Sequence, residues 1–175
     1  MNGSRHDISP AQSDGMDIWQ FSSDVSNRLL FWNSLNVAAG LLIGRGSRFW
    51  RALASQNVGW GAINIAIAVF GKRSSTKRQS TLSEPFSIAV QRRDTRRLRV
   101  LLAANGVLDL VYMAGGFRLA RGSKHLARRG IGLGVLVQGL LLFVFDWRML
   151  RRSFYIRLHD PRPNDLRVKA KQEPI

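Results

Sequence analysis

The fold is decided by the stretch Val100–Phe117, VLLAANGVLDLVYMAGGF, in which Asp109 is the single charged residue. Three similar segments, Leu29–Gly44, Ala52–Gly71 and Gly130–Phe145, contain no charged residue at all. Apolar runs of about 20 residues can cross a bilayer as helices, because every backbone polar group is then bonded within the run. The chain therefore alternates between parts suited to lipid and parts suited to water.

The four segments could also be buried helices of a soluble bundle, and the first and last are short for a membrane span. Two observations favour lipid. Each segment is apolar around most of its circumference, whereas a helix of a soluble bundle has a polar face. Arginine and aromatic residues such as Arg28, Trp32, Arg118 and Trp147 flank the segments, as is typical at the headgroups. The sequence predicts an all-α fold, an integral membrane four-helix bundle made of two helical hairpins.

The polar stretches divide the chain into three parts. Residues 1–27 are predicted to be a disordered N-terminal tail, and 28–147 to be the transmembrane domain. A basic connection at 72–99 joins the two hairpins, with a linker up to Thr81 and a helix that starts near Phe86. Residues 148–175 are predicted to be a basic juxtamembrane tail.

Basic residues predict the orientation. The N-terminal part, the 72–99 connection and the C-terminal part together contain 19 Lys and Arg, and the two short loops contain 8. Because the more basic side of a membrane protein faces the cytoplasm, both termini are predicted to be cytoplasmic in a multi-pass protein of the plasma membrane. The net charge of +16 is explained by this topology, and without a recognised motif no nucleic-acid partner is predicted.

Each span also carries polar side chains three or four residues apart, which places them on one face of the helix. We expect these faces to point inward and form a polar seam between the helices, composed of Asn33, Asn36, Asn57, Asn64, Asn105, Asp109, Tyr112 and Gln138. The seam could bond the helices together, or it could line a cavity or a proton relay. Packing is favoured, because four short helices enclose little volume.

Asp109 is the residue on which these two readings differ most. A charged carboxylate in the apolar part of a span is costly, so Asp109 is expected to be protonated and to donate a hydrogen bond to Asn33, Asn64 or Gln138. Such a group fits a proton relay and a structural network equally well. Asp146, next to the interface, is expected to be ionised and paired.

Small residues in the spans let helix backbones approach one another closely. Gly40, Gly59, Gly61 and Gly134 are predicted to be helix-packing glycines. They are weak signals for a homo-oligomer, because contacts within one bundle use the same spacing.

The basic end of the chain is predicted to meet lipid. The segment Asp146–Leu158 is expected to bend onto the cytoplasmic leaflet, with a short solvated extension of the fourth helix as the alternative. Four arginines of this segment are predicted to contact anionic headgroups: Arg148, Arg151, Arg152 and Arg157.

No pattern in the chain points to catalysis. There is no cysteine, and His6, His125 and His159 lie outside the spans, so neither catalytic residues nor a metal site or cofactor are predicted. We expect a non-enzymatic multi-pass membrane protein whose seam packs the helices and whose partners are membrane lipids. The alternative is a small oligomeric transporter or proton-coupled permeation unit that uses Asp109.

Two motifs carry a family resemblance. The residues 57–64, NVGWGAIN, and 105–112, NGVLDLVY, together with Gln138-Gly139, resemble a family of small bacterial four-span integral membrane proteins of unknown function. The likeness covers roughly Trp32 to Asp146. It implies an all-helical membrane domain and implies no activity.

Overall fold

The computed structural model describes residues 16–158, and in this part of the chain it has four α-helices and no β-strand. They are α1 (Ile18–Ile43), α2 (Arg48–Thr81), α3 (Ile88–Gly122) and α4 (Leu126–Ser153). The predicted all-α fold class is confirmed. Three of the helices, α2, α3 and α4, are long and apolar enough to cross a membrane. The fourth, α1, does not reach this level, because its first half is polar.

The helices pack as two hairpins that meet through α2 and α4. α1 packs along α2, and α3 packs along α4. Short turns at residues 44–47 and 123–125 join the partners of each hairpin. Asp17 starts α1 as its N-cap, because its side chain accepts a hydrogen bond of 2.8 Å from the amide of Gln20.

A small apolar core lies where the start of α1 meets α3 and the end of α4. This basal cluster consists of Phe21, Val25, Leu102 and Met149, all buried. Next to it the indole of Trp19 donates a hydrogen bond of 3.1 Å to the carbonyl oxygen of Pro85. The cluster therefore fixes the end of the bundle that contains the start of α1 and the end of α4, which we call the basal end.

The prediction of a disordered tail over residues 1–27 is wrong for residues 18–27, which form the first turns of α1. Residues 1–15 lie outside the described part of the chain. Ile18, Phe21 and Val25 lie on one face of α1 and are buried, so packing of this face stabilises a segment whose composition is polar.

The linker predicted to end at Thr81 is a continuation of α2. Lys, Arg and Gln are good helix formers, and one Gly costs only about 1 kcal/mol inside a helix, so nothing in the segment ends it. Its side chains also have partners: Lys72 donates to Asn27 on α1, and Arg78 pairs with Asp94 on α3 at 3.1 Å. α3 begins at Ile88, two residues beyond the predicted Phe86.

The C-terminal segment also differs from its prediction. α4 does not bend at Asp146 but continues to Ser153. Met149 and Ser153 are buried, because this part of α4 packs against α1 and α3. The observed arrangement is closer to the alternative, an extension of the fourth helix, although one face of the extension is packed rather than solvated.

Candidate functional site

The burial pattern of the bundle is inverted relative to a soluble protein. Large apolar side chains face outward: Phe31 and Trp32 are each 61% exposed, and Leu42 is 70% exposed. Buried positions instead hold many polar side chains, among them Asn33, Asn57, Asn64, Asp109, Gln138 and Asp146. An apolar outer surface of this extent is typical of a protein whose surroundings are lipid.

The first part of the polar seam joins α1 to α2. The side-chain amide of Asn64 donates a hydrogen bond of 3.0 Å to the Asn33 Oδ1 atom, in a buried position. The Nδ2 of Asn33 donates in turn to the carbonyl oxygen of Leu29 at 2.8 Å. The helices can approach because Gly61 is opposite Val37, where an added Cβ would lie 2.6 Å from the valine Cγ2.

The second part joins α4 to α2. The Nε2 of Gln138 donates to the Asn57 Oδ1 atom at 3.0 Å, and both side chains are buried. Gly134 lies one turn away on the same face of α4, and a Cβ there would come within 2.7 Å of the Gln56 Cβ. Each amide–amide hydrogen bond thus lies beside a glycine contact.

Asp109 belongs to neither hydrogen-bonded pair. It is 4% exposed, and its Oδ2 atom has no hydrogen-bond partner within residues 16–158. The expected bond to Asn33, Asn64 or Gln138 is wrong, because α3 packs on α4 at this depth and these amides already bond elsewhere. The backbone of Asp109 instead contacts α4 at Gly139, where an added Cβ would be 3.0 Å from the aspartate carbonyl oxygen.

The seam is shorter than predicted. Asn105 is exposed, Asn36 is half-buried, and Tyr112 is 38% exposed with its ring centroid 5.1 Å from that of Trp60. At about 100° per residue, Asn105 and Tyr112 are both turned by roughly 40° to 60° to the same side of Asp109. Leu102 and Gly116 lie seven residues before and after Asp109, so each is turned by only about 20° from it around the helix axis. These three residues form the buried face of α3.

The predicted packing glycines behave unequally. Gly40, Gly61 and Gly134 lie in contacts that leave no room for a Cβ, whereas a Cβ on Gly59 would have no neighbour within 4 Å. Gly59 is therefore not a packing position. Four further glycines lie in close contacts, Gly116, Gly130, Gly132 and Gly139. The Gly132–Gly139 spacing of seven residues is a signal that could have revealed this face.

The basal arginines and Asp146 also depart from expectation. Arg152 pairs with Asp24 on α1 at 3.0 Å, so it is partly engaged within the protein. Arg148, Arg151 and Arg157 are exposed. Asp146 is 7% exposed and forms no ion pair with any described residue, so the expectation of a paired side chain is wrong. It lies on the buried face of α4, where no arginine reaches it.

One comparison with known proteins gave a match. A model of a family of unknown function, DUF6992, matches residues 28–147. No curated protein and no solved structure matches the chain. The matched range covers all of the hydrogen-bonded seam and the packing glycines.

Proposed function

The chain belongs to DUF6992, a family of unknown function, and we propose that this member is a non-enzymatic multi-pass membrane protein. In this proposal the four helices cross the plasma membrane, and the polar seam holds them together. The protein then acts through the lipids or proteins that its outer surface contacts.

The outward apolar faces support a membrane location for all four helices. α1 is the one described helix that falls short of the hydropathy of a membrane span, yet Phe31, Trp32 and Leu42 on its free face are strongly exposed. Its polar Asn33 is buried against α2, so the face left for the surroundings is apolar. The basic connection and ends support an orientation with both termini in the cytoplasm.

The observation that carries the packing role is the use of the buried amides. Asn33 bonds to Asn64, and Gln138 bonds to Asn57, so each pair forms a hydrogen bond between two helices. Hydrogen bonds between membrane helices stabilise a bundle by about 1 kcal/mol each.

One observation favours the second candidate, a proton-coupled permeation unit. Asp109 is buried with an unpartnered carboxylate oxygen, and ionisable groups inside a membrane often belong to proton pathways. A single bundle with helices in such close contact is narrow, so this function would require an oligomer.

Proteoliposomes that contain the full-length protein and a pH-sensitive dye separate the two candidates. For a packing role we expect the proton flux under an imposed gradient to equal that of empty liposomes, both for the native protein and for Asp109→Asn. Flux in the native protein that Asp109→Asn abolishes, with the same amount of folded protein incorporated, would overturn the packing role. Asn105→Leu, a change at an exposed position on the same helix, is the matched control.

A further inference from the structure

α1 and α4 both pack on α2 but leave a groove between each other. The groove has a volume of about 700 Å³. Its walls are mostly apolar, with Trp32 and Leu35 on α1 facing Leu141 and Phe145 on α4. No element of the described chain fills this space, so the groove is open to the surroundings of the bundle.

The basal end of the groove is positively charged. Three arginines line it there, Arg28, Arg148 and Arg152. Asp24 pairs with Arg28 at 2.9 Å and with Arg152 at 3.0 Å, so one carboxylate serves two guanidinium groups. Arg148 is exposed and has no ion-pair partner among the described residues. The opening therefore keeps an excess of positive charge that an anion would complement.

The length of the groove matches one leaflet of a bilayer. From Arg28 to Ala39, the limits of the groove on α1, the helix rises by about 16 Å. Half of the hydrocarbon core is roughly 15 Å thick. With the arginines at the level of the headgroups, the apolar walls extend through the depth that acyl chains of that leaflet occupy.

We propose that this groove binds one phospholipid with an anionic headgroup from the cytoplasmic leaflet. An acyl chain lies between α1 and α4, and the phosphate meets Arg148 and its neighbours. The inference rests on the proposed membrane location.

The test is native mass spectrometry of the full-length protein in detergent, titrated with phosphatidylglycerol or with phosphatidylcholine of identical chains. We expect phosphatidylglycerol to bind more tightly. Arg148→Gln should weaken its binding about fivefold, because one basic residue near the headgroups contributes about 1 kcal/mol. Arg121→Gln changes an exposed arginine in the last turn of α3, at the opposite end of the bundle from the groove opening, and it should leave binding unchanged.

A second pair of variants tests the apolar part. Ala39 lines the groove and Ala38 beside it does not, although both are exposed. We expect Ala39→Phe to fill the groove and lower the bound lipid, and Ala38→Phe to have no effect. If the Ala39→Phe variant does not fold, the comparison of Arg148→Gln with its arginine control decides the test alone.

Three results would overturn the lipid site: equal binding of the two lipids, equal effects within a variant pair, or a dimer without bound lipid. A protein recovered without detergent in the soluble fraction would instead overturn the membrane location, so the two failures are distinguishable.

Discussion

The guanidinium group of Arg99 on α3 donates to the carbonyl oxygen of Ser153 at 2.8 Å and to its hydroxyl at 3.2 Å. Ser153 is the last residue of α4, where carbonyl oxygens lack partners within the helix. The same guanidinium lies 4.2 Å from the ring centroid of Phe154. Arg99 therefore caps α4 from a neighbouring helix and fixes the basal end of the second hairpin.

Replacing Arg99 with Gln should lower the free energy of unfolding by about 2 kcal/mol, since a charge-assisted cap and a cation–π contact are lost together. The measurement is thermal unfolding of the purified protein in detergent. Arg93→Gln is the control, because Arg93 is exposed on the same helix. An equal fall in Tm for both variants would show that the loss of one positive charge on α3, and not the loss of the cap, causes the destabilisation.

The hydrogen bond between Asn33 and Asn64 should be measurable by a double-mutant cycle. Asn33→Leu leaves the Asn64 Nδ2 without this partner, and Asn64→Leu leaves the Asn33 Oδ1 without it, so each change should destabilise the bundle by about 1 kcal/mol or more. The double variant should be less destabilised than the sum, because no unpaired amide remains. Asn105→Leu, at an exposed position, should change the stability little. Strict additivity of the two changes would argue against a bond between them.

The sequence predicts which residues of the seam are buried better than it predicts which of them contact one another. Hydropathy indicates the helices and the inward preference of Asn33, Asn57, Asn64 and Gln138, since the cost of exposing an amide to lipid depends on that residue alone. Which amides meet depends on the rotation of each helix and on which helices are neighbours. Nothing local to Asp109 carries that information, so its unpartnered position could not be foreseen.

The parts of the helices beyond the apolar segments were harder to predict for a different reason. Hydropathy indicates which part of a helix can lie in lipid, but it does not indicate where the helix ends. α2 continues beyond its apolar segment, through polar residues, to Thr81. The start of α1 is stabilised by Phe21 and Val25 in the basal cluster, whose other members are distant in the chain. Tertiary contacts, which composition does not reveal, extend these helices.

The glycine contacts predict opposite outcomes for two glycines that look alike in the sequence. A Cβ on Gly116 would lie 2.7 Å from the carbonyl oxygen of Gly132 and from the amide of Leu136, and backbone cannot move aside cheaply. Gly116→Ala should therefore cost about 3 kcal/mol or more and disrupt the second hairpin. Gly59→Ala should be neutral or stabilise α2 by up to about 1 kcal/mol, since its Cβ meets open space.

Both variants can be compared by their yield of monodisperse protein and their Tm in one detergent. A Gly116→Ala protein as stable as the native one would mean that α3 and α4 are not as close as the structure shows.

The proposed topology predicts the side of each connection. Reporter fusions after Ser47 and after Lys124 should report the outside, and a fusion after Ser83 should report the cytoplasm. The expectation follows from the basic residues, because α2 and α3 extend well past their apolar parts toward Ser83 and carry all nine Lys and Arg of the 72–99 connection. α1 is the helix whose hydropathy falls below the level of a membrane span, so Ser47 is the decisive position. A cytoplasmic signal after Ser47 and after Lys124, together with an outside signal after Ser83, would mean that α1 lies in the interface and only α2, α3 and α4 cross the membrane.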